Sequence, residues 1–449
     1  MIARAVALAV ICCSGWFVPA SAEGGGKQPR LAPPADTLRA GAAIAAFRVP
    51  DGTPLAGYGS VRRRLLFPDV LGLHPHAFWF TPHDGELDPP AARALVLDDG
   101  RTRLVWVTAD LIAVDRAFVA AARHRLESAG VRAGTLIVSA SHTHSGPGAF
   151  LESRVMAIVA TDRYEEAVRG ALLDAVVDAA RRAEAAKTPA LAAAIALPAP
   201  PLTASRLGQP LDPDVVVLKL ASPSGVPVAL LWNYAIHGTM LGARNRRYSG
   251  DVMGIASREI EHRLGVPALF VNGAVGDVSP RGHGHPAARA DGRALAAAAE
   301  AGWALARPAS AARLAVMTTR VELPAPYLSP RNCVGSWVPR ALTLSLDRAL
   351  PRHAELIGGA LGGAAWVTVP GELQTRLGRA VKEAARATGV QGFVAGVSND
   401  YLGYFLAPED YARVTYIACA SLYGPEAGAL VTRAASDLIR SLGAGSAQR

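Results

Sequence analysis

Residues 135–148 read TLIVSASHTHSGPG, a strand-like run that leads directly into a polar loop. The run from Thr135 to Ser139 is apolar and β-branched, which predicts a buried strand. A polar cluster with two histidines follows at once, and the glycines and proline of residues 146–148 predict a tight turn. The stretch therefore predicts a strand that delivers polar side chains to a loop at its carboxyl end.

Similar runs recur along the chain and alternate with helical segments. Helical periodicity is clearest from Thr161 to Lys187, with Thr161 as the candidate N-cap. The other strand-like runs are residues 104–108, 215–220, 226–232, 268–271, 365–369 and 393–397. This alternation predicts an α/β fold with mixed β-sheets flanked by helices.

Polar clusters follow several of these runs closely. They are residues 141–144, 233–237, 276–279, 371–372 and 399–401. Ligands of α/β sheets bind in the crevice outside the carboxyl ends of the strands. We therefore expect the clusters to converge on one site at the carboxyl ends of the strands.

The composition of the 449 residues, 51% hydrophobic and 18% charged, excludes a disordered chain. The first 22 residues resemble a secretory signal peptide, with Arg4, an apolar stretch and the cleavage motif Ala20-Ser21-Ala22. We expect a flexible leader over residues 23–36, one catalytic domain over residues 37–442, and a secreted or periplasmic protein.

Charge and cysteine content exclude two further classes. The formal net charge of +9 comes from scattered arginines, without the basic arm or basic-aromatic pattern of a nucleic-acid binder. Cys12 and Cys13 lie in the signal peptide, so Cys333 and Cys419 remain in the mature chain. Two cysteines can form one disulfide but neither a disulfide framework nor a cysteine-based zinc site. The sequence leaves their pairing open.

Histidines separated by two positions on an extended segment point to the same side, which suits either two metal ligands or one metal ligand beside an acid/base group. His142 and His144 have this spacing, but so do residues 74 and 76 and residues 283 and 285. Only the first pair directly follows a strand-like run and precedes a Gly-Pro-Gly turn, so we interpret that pair as functional. The other two pairs are interpreted as ordinary loop histidines.

The remaining candidates are ambiguous when each is taken alone. His237 ends an apolar run, where a hydrogen-bonded core histidine is the more frequent case. Glu372 fits a carboxylate at a helix N-terminus, and Tyr401 fits an ordinary loop aromatic. Ser279 lies on a predicted turn without the Gly-x-Ser-x-Gly motif of α/β-hydrolases. In that turn Asp277 is expected to cap backbone N–H groups.

Taken together and in order, these segments resemble the catalytic domain of the neutral ceramidase family, zinc-dependent amidases that cleave the N-acyl bond of ceramide. The resemblance extends from about residue 40 to about residue 430, and His142 to Gly148 is its most specific part. The matching segments are residues 55–58, 92–97, 107–111, 141–148, 233–239, 276–280, 370–372, 398–401 and 422–425.

The resemblance implies a role for each candidate residue. It implies Zn²⁺ as cofactor, with the ligands His142, His237, Glu372 and Tyr401. His144 would act as an acid/base or contact the substrate, and Ser279 would be a nucleophile or hold the scissile amide. Arg206 matches the arginine of a family segment, although the residues on either side of it differ in this chain. By the resemblance, Arg206 would contact the substrate. Typical relatives continue into a C-terminal β-sandwich domain, which we expect to be missing from this chain.

The sequence thus predicts a secreted, zinc-dependent amide hydrolase that acts on ceramide or another N-acylated lipid. Peripheral contact with a membrane and the oligomeric state are both left open. One alternative is a deacylase for a different N-acyl amide, and the departures at residues 65–90, 205–207 and 279–281 leave the substrate open. Another alternative is a secreted lipid-binding protein that has the same fold but no turnover.

Overall fold

The computed structural model describes residues 37–308 and 313–447. These described residues cluster as one compact unit. The predicted signal peptide and leader, residues 1–36, lie outside the described residues. In the part that the structure describes, no helix has the length and apolar character needed to cross a membrane.

The first sheet contains five strands in the order β4-β3-β2-β1-β5. Strands β3 and β4 run parallel, and the other neighbours are antiparallel. The strands are β1 (Arg39–Ala46), β2 (Ala91–Asp98), β3 (Arg103–Ala109), β4 (Thr135–Ala140) and β5 (Thr188–Pro189). The helices of this part are α1 (Arg116–Ser128), α2 (Arg154–Met156), a π-helical turn (Ala157–Thr161) and α3 (Glu166–Ala185).

The second sheet has four strands in the order β10-β9-β8-β6, with β9 and β10 parallel. Its strands are β6 (Leu191–Pro198), β8 (Asp214–Ala221), β9 (Pro227–Tyr234) and β10 (Ala268–Asn272). Its helices are α4 (Asp251–Leu264) and α5 (Gly284–Leu305).

The third sheet has the order β12-β15-β16-β18, with β16 and β18 parallel. Its strands are β12 (Ala315–Glu322), β15 (His353–Leu361), β16 (Ala364–Thr368) and β18 (Gln391–Ala395). Its helices are α7 (Thr375–Arg386) and α10 (Ala427–Ala447).

Three short strand pairs and three short helices complete the described chain. The strand pairs are β7 (Thr203–Ser205) with β11 (Val278–Pro280), β13 (Tyr327–Leu328) with β14 (Leu344–Ser345), and β17 (Glu372–Leu373) with β19 (Tyr404–Phe405). The short helices are α6 (Pro330–Val334), α8 (Pro408–Tyr411) and α9 (Tyr416–Cys419).

The inner faces of the three sheets share one core. Trp106 of the first sheet packs against Trp366 and Phe393 of the third, with ring centroids 5.3 and 6.3 Å apart. Helices cover the outer faces, so β4 and β10 are buried on both sides and read as continuous apolar runs. The predicted α/β fold with mixed sheets flanked by helices is confirmed.

Each sheet contains one parallel β-α-β unit, and the polar clusters follow the strands of these units. The loops after β4, β9, β10, β16 and β18 carry the clusters, and each begins where a parallel strand ends. The polar clusters therefore lie at the carboxyl ends of the strands, as predicted.

One predicted helix boundary is wrong. Thr161 is the last residue of the π-helical turn, and α3 begins only at Glu166. Between them Asp162 has φ 73°, and its buried carboxylate accepts the backbone N–H groups of residues 78–80. These hydrogen bonds to a distant loop favour a turn here over an earlier start of the helix.

Cys333 and Cys419 form a disulfide between α6 and α9. We expect Cys333→Ser with Cys419→Ser to lower the free energy of unfolding by about 2–4 kcal/mol, because the bond restricts the unfolded chain. The sequence separation of 86 residues makes this restriction large. Urea unfolding of the oxidised protein and the double variant measures the effect. A loss below roughly 1 kcal/mol would contradict this account of the disulfide.

Candidate active site

His142 follows β4, and the local backbone aims its imidazole into the site. It adopts φ 66°, and its N–H donates to the carbonyl of Leu111. Its Nδ1 lies 2.7 Å from the carbonyl oxygen of Ile112. Because a carbonyl can only accept a hydrogen bond, Nδ1 carries the proton and Nε2 presents a lone pair.

His237 follows β9, and a buried amide ties its loop to that of His142. The Asn272 side chain donates to the carbonyls of Ser141 and Ile236, both at 2.9 Å. Its Oδ1 accepts the N–H of Ile236. Since Asn272 is fully buried, these bonds hold the two histidine loops in a fixed relation.

Glu372 and Tyr401 reach the same point from the third sheet. Gly371 precedes Glu372 with φ 151°, and a Cβ there would meet the carbonyl oxygen of Gly403 at 2.4 Å, so glycine is required. The Asn399 side chain bonds the backbone of β4 at residues 136 and 138, which brings the Tyr401 loop beside His142. The Tyr401 hydroxyl then donates to Glu372 Oε1 at 2.7 Å.

The four predicted ligands converge on a single point. Nε2 of His142 lies 3.1 Å from Nε2 of His237 and 3.2 Å from Oε1 of Glu372, and His237 Nε2 lies 3.6 Å from Oε2 of Glu372. Tetrahedral ligands at about 2.1 Å from Zn²⁺ lie about 3.4 Å from one another. Glu372 Oε2 is buried and accepts no hydrogen bond from the described residues. The donor set therefore fits a zinc ion.

His144 lies beside this cluster. Its nearest ring nitrogen lies within 4.8 Å of those of His142 and His237, and the three histidines together could hold a metal ion. Its ring packs against Tyr58, with centroids 5.0 Å apart. A Cβ at Gly57, which has φ 115°, would approach the His144 Cβ to 2.6 Å, so only glycine allows this packing.

Arg206 and Ser279 lie together at the edge of the site. The β7–β11 pairing aligns their segments, and Arg206 Nε donates to Ser279 Oγ at 2.7 Å. The guanidinium stands over the ring of Tyr416 at 5.3 Å, and its buried Nη1 has no hydrogen-bond partner among the described residues. Asp277 caps backbone as expected, accepting the N–H of Thr375 at the start of α7.

Burial controls the protonation of the site. Desolvation lowers the pKa of His144 well below its usual value, and the neighbouring His142 and Arg206 lower it further. Desolvation likewise lowers the pKa of His237, with Arg206 as the next cause. Desolvation and the adjacent Glu372 raise the pKa of Tyr401 well above that of a free phenol. The two histidines are therefore neutral, which is the state that binds metals.

The other two histidine pairs and the buried Asp251 lie outside this cluster. The histidine pairs at residues 74 and 76 and at residues 283 and 285 are not members of the metal-binding group found in the described residues. Asp251 opens α4 with φ 54° and accepts the N–H groups of Leu241 and Val252. It therefore organises the loop after His237 rather than entering the site.

Sequence reasoning missed several residues of the site. Asn272 is the last residue of a buried strand. A polar amide at the end of an apolar run was the only feature of the sequence that could have pointed to it. Arg63 is buried, donates to the carbonyl of His144 and stands over the Tyr58 ring. Tyr416 covers Arg206 from a segment far along the chain, and nothing in its local sequence points to the site.

The fold and the site together define a class, an α/β protein with a buried histidine-rich centre suited to a metal. Residues 89–195 match the family model of neutral/alkaline non-lysosomal ceramidase, N-terminal. A neutral ceramidase of Pseudomonas aeruginosa is 27% identical over 213 residues, which are 42% of this chain. The match spans 31% of that relative's length.

Two solved structures share the fold. A crystal structure of neutral ceramidase from Pseudomonas aeruginosa has a TM-score of 0.74 and 21% identity, covering 91% of this chain and 74% of the other. A ceramidase complexed with C2 has a TM-score of 0.74 and 20% identity, covering 92% and 76%. The predicted resemblance to the neutral ceramidase family is confirmed.

Proposed function

We propose that the protein is a zinc-dependent amide hydrolase that cleaves the N-acyl bond of ceramide or a related N-acylated lipid. The observation that carries the proposal is the convergence of His142, His237, Glu372 and Tyr401 with His144 beside them. Relatives with this fold are ceramidases.

His142, His237, Glu372 and Tyr401 would hold the zinc. When bound, zinc polarises a carbonyl and lowers the pKa of a coordinated water to about 7. The Ile112 carbonyl fixes the His142 ring, and the Tyr401 hydroxyl orients the Glu372 carboxylate. Such supporting hydrogen bonds keep the ligand atoms aimed at one point before the metal arrives.

We assign the proton transfers to His144. Amide hydrolysis forms a bond between the water oxygen and the acyl carbon and breaks the carbon–nitrogen bond, so a proton must move from the water to the leaving amine. A neutral imidazole beside the reacting atoms can accept that proton and then donate it. The Tyr58 ring and Gly57 hold the His144 imidazole in position for both steps.

Arg206 supplies positive charge at the edge of the reaction centre. Its guanidinium is permanently protonated, and its buried Nη1 is free to donate to an oxygen of the substrate. A fixed cation of this kind stabilises negative charge on the acyl oxygen in the transition state.

Ser279→Ala should retain measurable turnover, slowed by roughly 10- to 100-fold, without a burst of first product. Within the described residues, Ser279 Oγ bonds Arg206 Nε, and an arginine cannot accept the serine proton. The serine therefore positions Arg206. Rapid-quench measurement of the released amine, the product that an acyl-enzyme would set free first, checks this. Ser224→Ala on the exposed β8–β9 turn should behave as wild type.

An initial burst of amine from the wild-type enzyme, or an acyl group trapped on Ser279 by mass spectrometry during turnover, would contradict direct attack by water. It would assign Ser279 as the nucleophile instead.

We also propose a secreted or periplasmic location. The signal-like sequence of residues 1–22 supports it. The Cys333–Cys419 disulfide supports it independently, because disulfides persist in oxidising compartments.

The proposed function is tested by incubating purified protein with ceramide and with a short-chain N-acyl amide and measuring released fatty acid. Release from ceramide supports the proposal. Release from the short-chain amide alone favours a different deacylase, and bound lipid without release favours a lipid-binding protein.

A further inference from the structure

The loop of residues 61–73 exposes an unusual concentration of large apolar side chains. They are between 72 and 90% exposed and comprise Val61, Leu66, Phe67, Val70, Leu71 and Leu73. Single exposed apolar residues are ordinary, but six within 13 residues form a patch of the kind that marks an interaction surface. Ile158 and Val159 extend it, since their carbonyls contact Arg64 and Gly59 of the adjoining segment. We call this surface the first rim.

The first rim is fixed to the site rather than loose. Arg63 lies within the loop, and its guanidinium donates to the carbonyls of His144, Gly242 and Ala243. Asp162 holds the returning segment through the N–H groups of residues 78–80. The apolar side chains are thus presented in a preformed arrangement beside His144.

A second rim lies on the Arg206 side of the site. Its exposed apolar residues are Val334, Trp337, Leu342, Leu344, Val414 and Tyr416. The Cys333–Cys419 disulfide joins its two segments, and Tyr416 packs on Arg206. The second rim contacts Arg206 at the edge of the site through Tyr416, and the first rim is bonded to His144 through Arg63, so both rims adjoin the proposed reaction centre.

Each rim carries exposed arginines. Arg62, Arg154 and Arg340 are exposed and form no ion pair among the described residues. The neighbouring acids are already satisfied. Asp69 accepts the N–H groups of residues 73 and 74, Glu152 pairs with Arg169, and Asp347 pairs with Arg352.

We propose that the two rims dock the protein on an anionic lipid bilayer, with the apolar side chains inserted and the arginines at the head groups. Apolar side chains flanked by unpaired cations are the combination that binds such an interface. A bilayer held on both rims would also keep an N-acylated lipid beside the site. The inference rests on the proposed function for the nature of the substrate, but docking itself requires no turnover.

Sedimentation with sucrose-loaded vesicles tests the docking without any substrate. We expect the full chain to bind vesicles of roughly equal parts phosphatidylcholine and phosphatidylglycerol. Leu66→Ser with Phe67→Ser and Leu71→Ser should weaken this binding on the order of 100-fold. The matched control is Val226→Ser with Leu305→Ser and Met317→Ser, three exposed apolar residues away from the rims, and it should bind as wild type.

A charge variant separates the two contributions. Arg62→Gln with Arg154→Gln should weaken binding to the anionic vesicles by roughly 5-fold for each arginine and leave binding to pure phosphatidylcholine unchanged. The variant with Leu66→Ser, Phe67→Ser and Leu71→Ser, called the rim variant below, should keep wild-type activity on a short-chain soluble N-acyl amide. That result would show that the site is intact.

Three results would overturn the proposal. They are wild-type protein that stays in solution with both vesicle types, a rim variant that binds as well as wild type, and a wild-type dimer that the rim variant converts to a monomer. The last result would assign the rims to a second copy of the chain. If vesicle binding follows the expected pattern but no amide is cleaved, docking stands and the proposed function fails.

Discussion

His237→Ala should lose the bound zinc and reduce fatty-acid release from ceramide by roughly 1,000-fold or more. Its Nε2 lies 3.1 Å from that of His142 and 3.6 Å from Glu372 Oε2, so its removal opens one side of the proposed ligand shell. The remaining three groups provide one imidazole, one carboxylate and one phenol, a weaker set for Zn²⁺. Metal analysis of the purified variant and a fatty-acid assay give the two readouts.

His283→Ala is the matched control for this substitution. His283 is exposed and makes no capping hydrogen bond at the start of α5, so the variant should retain zinc and full activity. A His237→Ala protein with full zinc content and full turnover would remove His237 from the ligand set.

His144→Ala should retain zinc and fold but lose roughly 10²–10⁴ in rate, the usual contribution of a general acid/base. The reason is geometric, because its nitrogen lies beside the His142, His237 and Glu372 cluster rather than at the short distances that join those groups. The readouts are zinc content, thermal unfolding and the rate of the first turnover.

The outcome that contradicts this assignment is loss of the metal. The three histidines could themselves hold an ion, so a metal-free His144→Ala protein would make His144 a ligand and leave the proton transfers to another group. His144→Gln, which keeps a polar side chain of similar size, should be as slow as the alanine variant if the proton transfer is lost.

The alternation of strands and helices was predictable because the central strands are buried on both faces. Residues 135–139 and 268–271 are short apolar runs of this kind, and both lie within strands of the structure. Less regular strands escaped detection. Strand β12 is largely exposed and β1 is rich in alanine, so neither shows a clear two-residue period.

The site could be predicted only in part from residue patterns. The position of His142 directly after a strand could be predicted from the sequence. His237, Glu372 and Tyr401 each had an ordinary structural explanation, and only the family resemblance assigned them to the same site. Their convergence depends on three sheets meeting at one edge, which local sequence does not encode. Asn272 acts entirely through such long-range contacts, because it joins two loops that lie far from it along the chain.

The central claim is that zinc held by this cluster drives cleavage of an N-acylated lipid. The most direct test strips the metal with a chelator, restores zinc in measured amounts, and follows fatty-acid release from ceramide in detergent micelles. We expect no release from the stripped protein and a release that rises with zinc until each chain holds one ion. Full release from the metal-free protein would contradict zinc dependence, and a zinc-loaded chain that releases no fatty acid would contradict the proposed activity.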